Sequence, residues 1–62
     1  MRYILTYTET KNGITSTGNS RFNAQSDTEA VEYVKNLLKD KDVTDITLWR
    51  RGDFVILGRE SI

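Results

Sequence analysis

Only one stretch of this chain carries helical periodicity, and it is bracketed on both sides by segments that alternate in the rhythm of a strand. That arrangement constrains the fold more than any other feature. Ser26-Asp27-Thr28-Glu29 has the form of a capping box, in which the Ser26 hydroxyl accepts from the Glu29 amide and the Glu29 carboxylate reaches back to the Ser26 amide. The pattern predicts a helix starting at about Asp27. Beyond it Ala30, Val34, Leu37 and Leu38 form one apolar stripe, while Glu32, Lys35, Asn36 and Lys39 face water. Lys39 and Lys41 suit the negative end of the helix dipole, and Asp40-Lys41-Asp42 makes a polar exit.

Before the helix, Met1, Tyr3, Leu5 and Tyr7 recur at every second position, with Thr6 and Thr8 on either side of Tyr7, which is the period of a half-buried strand. Asn12-Gly13 supplies the residues that best tolerate the positive φ angles of a tight hairpin turn, so Ile14 to Thr17 should return antiparallel. Gly18-Asn19-Ser20 is a poor strand interior. A bulge or a break is expected there before the strand resumes through Arg21 to Ala24.

After the helix, Val43 to Arg51 and Phe54 to Leu57 read as a second hairpin turning at Arg51-Gly52-Asp53. The order strand-strand-helix-strand-strand makes this an α+β chain, ββαββ, with a four-stranded antiparallel sheet and one helix packed on one face. Residues 1–62 form a single domain, because a chain of 62 residues can enclose only one thin core.

A domain this small usually needs a staple. There is no Cys for a disulfide, and with no His either the usual zinc ligands are missing, so self-association is the remaining route. One helix covers one face of a sheet, yet strict alternation puts apolar residues on both. Ile46 and Leu48 would oppose Thr47 and Trp49, Phe54 and Ile56 would oppose Val55 and Leu57, and Tyr3, Leu5 and Tyr7 would oppose Ile4. Alternation alone does not say which face the helix takes. The leftover face suggests an interface, and a homo-oligomer, a dimer or higher, is the expected partner arrangement.

Catalysis finds little support. Without His or Cys there is no group suited to acid-base or nucleophilic work near neutral pH, and Ser16, Ser20, Ser26 and Ser61 have nothing to activate them. No phosphate-cradling glycine loop is present, Asp40, Asp42 and Asp45 lack the spacing of a calcium loop, and no cofactor or metal is expected. No apolar run approaches the roughly 20 residues that cross a bilayer, and Met1 to Thr6 lacks the apolar core of a signal peptide, so a cytoplasmic location with no membrane partner is expected.

Nine basic and nine acidic residues cancel, but unevenly. Residues 27–45 hold six acids against three lysines, whereas Arg50, Arg51 and Arg59 outnumber Asp53, and Arg2, Lys11 and Arg21 outnumber Glu9. The helix is acidic and the strands are mildly basic. Trp49-Arg50-Arg51, followed by Phe54, is the most distinctive chemistry, since guanidinium forks grip phosphate and aromatic rings stack on bases. Arg21, Tyr3 and Tyr7 would join this ligand-binding set, with Arg2 and Arg59, if the strands align. Alternation cautions against it, because neighbouring residues of a strand face opposite ways.

The run Phe22-Asn23-Ala24-Gln25-Ser26-Asp27-Thr28-Glu29-Ala30-Val31-Glu32-Tyr33 after an Asn-Gly hairpin resembles the strand-to-helix segment of small uncharacterised proteins encoded by phages of Gram-positive bacteria. The resemblance implies a counter-defence or host-takeover protein that occupies a host protein or sequesters a small anionic signal molecule, such as a nucleotide, often as a small oligomer. A nucleic-acid-binding regulator using the Trp/Arg cluster is the other expectation, and salt dependence would separate them.

Overall fold

In the computed structural model, which describes residues 1–62, these periodicities resolve into four strands and a helix. They are β1 (Arg2–Lys11), β2 (Ile14–Asn23), α1 (Asp27–Leu38), β3 (Val43–Arg50) and β4 (Asp53–Leu57), followed by a 3-10 turn at Arg59–Ser61. The sheet is open and antiparallel, in the order β2-β1-β3-β4. The α+β, ββαββ architecture is therefore the one the sequence predicts. The helix, connecting two hairpins, lies on the face of Tyr3, Leu5, Ile46, Leu48 and Ile56. Its buried residues Ala30, Val34 and Leu38 complete the core with Ala24 and Val43.

Both hairpins turn on two residues in the left-handed region, as a mirror-image type I turn requires. Asn12 and Gly13 have φ of 54° and 79°, and Arg51 and Gly52 have 51° and 85°. Arg51 thus occupies a conformation in which Asn is far more comfortable. The helix begins as predicted, with the Glu29 amide donating to Ser26 Oγ at 3.2 Å. The reciprocal bond from the Ser26 amide to the Glu29 carboxylate is not made.

Two strand expectations need correction. First, β2 neither breaks nor bulges at Gly18-Asn19-Ser20 but runs in unbroken register with β1, Tyr7 opposite Gly18. The glycine is there for clearance: a Cβ would stand 2.5 Å from the Tyr7 ring, which lies across the strand at this point. Gly18→Ala is expected to destabilise the protein by about 1 kcal/mol, the ring displacement outweighing the smaller backbone benefit of alanine. In a Tyr7→Ala background the same change should become neutral or stabilising. Equal penalties in both backgrounds, measured by urea unfolding, would refute the clearance role.

Second, strict alternation fails in the second hairpin because each of its strands carries a bulge. In β3, Thr6 pairs with Thr47 but Thr8 with Thr44, so Asp45 and Ile46 together face Tyr7, with Asp45 at a φ of 54°. The extra residue brings both Val43 and Ile46 into the core, although they are an odd number of positions apart. In β4, Leu48 pairs with Ile56 but Trp49 with Phe54, leaving Val55 as the extra residue. Phe54 therefore departs from the face of Ile56. It joins Leu57 on the side away from the helix, while Val55 packs partly against the core.

Candidate functional site

Directly opposed residues in an antiparallel pair point to the same side, so the register defines the uncovered face. Arg2, Ile4, Thr6, Thr8 and Thr10 of β1 stand beside Asn23, Arg21, Asn19, Thr17 and Thr15 of β2, and beside Trp49, Thr47 and Thr44 of β3. Phe54 and Leu57 extend the face onto β4. Its rows run across the strands, and the first contains Phe54, Trp49, Ile4 and Arg21 in that order, spanning roughly 14 Å at the usual strand spacing. The next contains Leu57, Thr47, Thr6 and Asn19, and threonines dominate the rest.

The Trp49 and Phe54 rings meet edge to face, with centroids 6.4 Å apart and planes at 80°. Phe54 is 65% exposed and Leu57 57%, while Ile4 and Trp49 are half-buried by their neighbours in the sheet. Two arginines, Arg2 and Arg21, flank the apolar end, beside a shallow depression they share with Phe22 and Asn23. The paired strand residues of this face include no carboxylate, and Asp45 at the bulge and Glu60 border its far margin beside Thr44, Thr47 and Leu57. Asp27, Glu29 and Glu32 lie on the helix, on the other side of the sheet.

The sequence-predicted ligand set divides between the two faces. Trp49 and Arg21 share the open face, separated by Ile4. Arg51 is exposed in the hairpin turn beyond them. Tyr3, Tyr7 and Arg50 belong to the helix side and do not join Trp49. Tyr3 has no exposed surface, and Tyr7 packs partly against the core. Arg50 turns towards the helix start, where its Nη1 donates to Asp27 Oδ1 at 2.6 Å, and the Tyr3 hydroxyl donates to the same oxygen, also at 2.6 Å. The adjacent Trp49-Arg50 pair is thus split between the open face and a half-buried clasp on the helix side, as the two-residue period of a strand demands.

Alternation places Ile4 correctly, on the face opposite Tyr3, without marking it as part of the ligand set, and it puts Phe54 on the wrong face, with Ile56. The signal for Phe54 lay in the turn: a two-residue loop at Arg51-Gly52 forces Arg50 opposite Asp53 and Trp49 opposite Phe54, whatever follows in β4.

The clasp joins the first residue of α1 to the last of β3 and the start of β1. The Tyr3 hydroxyl bond, and after it the Arg50 charge, hold the Asp27 carboxyl below its usual range against the opposing effect of burial. Burial, with the bond to Asp27, pushes the Tyr3 hydroxyl up. The Tyr3 hydroxyl and the Asp27 charge hold the Arg50 guanidinium above its ordinary value. Because Asp27 binds its proton less readily folded than unfolded, its contribution is complete above the unfolded carboxyl value of about 4. It is lost as pH falls through the lowered folded value. The acid limb of thermal stability should therefore flatten in Asp27→Asn, and an unchanged limb would show that the clasp carries none of it.

No group of three or more Asp or Glu side chains is placed to hold a metal ion, and no helix is long and apolar enough to cross a membrane. The largest cavity, about 450 Å³, lies open along the free part of the β3 edge between Thr44 and Arg59, and neither Trp49 nor Phe54 lines it or any other. Comparison with protein-family models, with curated proteins and with solved structures finds no match to this chain.

Proposed function

We propose that this chain is a non-enzymatic binding protein whose open sheet face takes single-stranded nucleic acid. The observation that carries the reading is the row Phe54, Trp49, Ile4, Arg21, with Arg2 beside it. It sets the exposed Phe54 ring and the half-buried Trp49 ring on one face with two guanidinium groups, across Ile4 from them, and few carboxylates border that face. Flat bases stack on rings of either kind, and phosphates are met by arginine, so a face of this chemistry accepts an extended strand without reading its sequence closely. Threonine hydroxyls and the Asn19 and Asn23 amides supply further donors along the same surface.

Sequestration of a small anion, such as a free nucleotide, has less behind it. A small ligand is held by walls that bury most of its surface, and no cavity contains the aromatic pair. Occupation of a host protein by the same face remains the reading suggested by the phage resemblance. Face-to-face self-association is favoured by the exposed Phe54 and Leu57. Its weakness is that a second copy brings arginines to this face and almost no acid to meet them.

Trp49 is the sole tryptophan, so its emission reports the face directly. Titration with an oligothymidylate at low salt should quench it saturably. The logarithm of affinity should then fall with that of salt by about 0.7 per phosphate contact, and Arg2→Ala and Arg21→Ala should each reduce that slope. Emission that does not respond to the oligonucleotide sinks the proposal. Emission that shifts with protein concentration alone favours face-to-face association.

A further inference from the structure

We infer that the free edge of β2 pairs antiparallel with β2 of a second copy, joining two sheets into one of eight strands. The two-residue turn makes Lys11 and Ile14 a hydrogen-bonded pair, and at the other end Met1 and Ala24 exchange bonds of 2.8 and 3.0 Å. Both ends set the same phase. The amides and carbonyls of Ser16, Gly18, Ser20 and Phe22 face β1, while those of Thr15, Thr17, Asn19, Arg21 and Asn23 point outward. These outward groups have no backbone partner within the chain.

Folded proteins blunt such edges with short strands, bulges, prolines or lysines. The opposite edge is blunted in this way: β4 is only five residues long and bulged at Val55. The unpaired part of β3 is bulged at Asp45 and closed by the Gly58 amide on the Ile46 carbonyl at 2.7 Å. β2 has none of these devices. It is ten residues long and regular, contains neither proline nor lysine, and carries one charge, Arg21.

The edge is also self-complementary. Pairing about a twofold axis at Asn19 sets Arg21 opposite Thr17 and Asn23 opposite Thr15, so every outward residue finds an outward partner and no like charges meet. A chain this small, with no disulfide, gains from such a partner the stabilisation its thin core lacks. Both open faces then lie on one side of the extended sheet.

Sedimentation velocity and amide exchange test the pairing independently of any ligand. Wild type is expected to dimerise, and the amides of Thr17, Asn19 and Arg21 to exchange at least roughly tenfold more slowly as protein concentration rises. Those of Ser16, Gly18 and Ser20 should be protected at every concentration. Asn19→Pro removes an outward amide and no bond to β1, so it should give a folded monomer. Should that variant fail to fold, the exchange pattern decides alone. A wild type that stays monomeric to millimolar concentration, or a dimer whose outward amides exchange freely, overturns the inference. A dimer dispersed by Trp49→Ala and not by Asn19→Pro does so as well, by placing the contact on the open face.

Discussion

Leu48→Ala is expected to leave a large fraction of the protein unfolded at 25 °C. Leu48 has no exposed surface and stands at the centre of the sheet, opposite Leu5 on β1 and Ile56 on β4. Truncating a buried leucine costs about 2–5 kcal/mol, from lost transfer energy and the cavity left behind. A domain of this length has roughly 3–9 kcal/mol in all. No disulfide is present to limit the loss. Urea unfolding followed by circular dichroism measures the change, and a midpoint close to that of wild type would show that the β1-β3-β4 contact is not the centre of the core.

Trp49→Ala, one residue along, should do the reverse. Its side chain points to the other face, against Ile4 and Phe54, and its removal loses cross-strand contacts worth no more than about 1 kcal/mol. Stacking of a base on an aromatic ring is worth about 1–3 kcal/mol. Affinity for an oligothymidylate, read by the anisotropy of a labelled strand, should therefore fall roughly 5- to 150-fold. Trp49→Phe should recover much of it, since any flat ring serves. Affinity that survives Trp49→Ala while the protein stays folded would remove the open face from the binding site. The pair of variants contrasts a core residue with a surface residue at adjacent positions, a separation that follows from the pleat.

Neighbouring residues of one strand thus have unrelated roles, and this is where the sequence was hardest to read. The cluster Trp49-Arg50-Arg51 looks like one chemical unit along the chain. Folded, it becomes a ring on the open face, a clasp on the helix and a turn residue, because the strand alternates and then reverses. That Arg50 meets Asp27 has no local signal at all. The two are 23 residues apart and come together only when α1 returns over the sheet.

The features legible in the sequence are mostly local ones, although the Glu29 half of the capping box, equally local, is not formed. The Ser26 cap and the apolar stripe of Ala30, Val34 and Leu38 define α1, since both depend on residues within one or two turns. Asn12-Gly13 defines the first hairpin for the same reason. Gly18 was misread because its environment is a ring on the facing strand. The register around Asp45 and Val55 was misread because a bulge is chosen by the whole sheet: Val43, Ile46, Leu48 and Ile56 cannot all reach the core without an extra residue on each strand.

By itself the sequence determined the fold class and the element order, through interactions whose range is a few residues. Only the tertiary structure decided which sheet face α1 covers, and with it the division of the arginines and aromatics between a half-buried clasp on the helix side and an open surface. A strand's apolar pattern records that a side chain is buried or not, whereas the identity of its neighbours is settled by packing across the sheet.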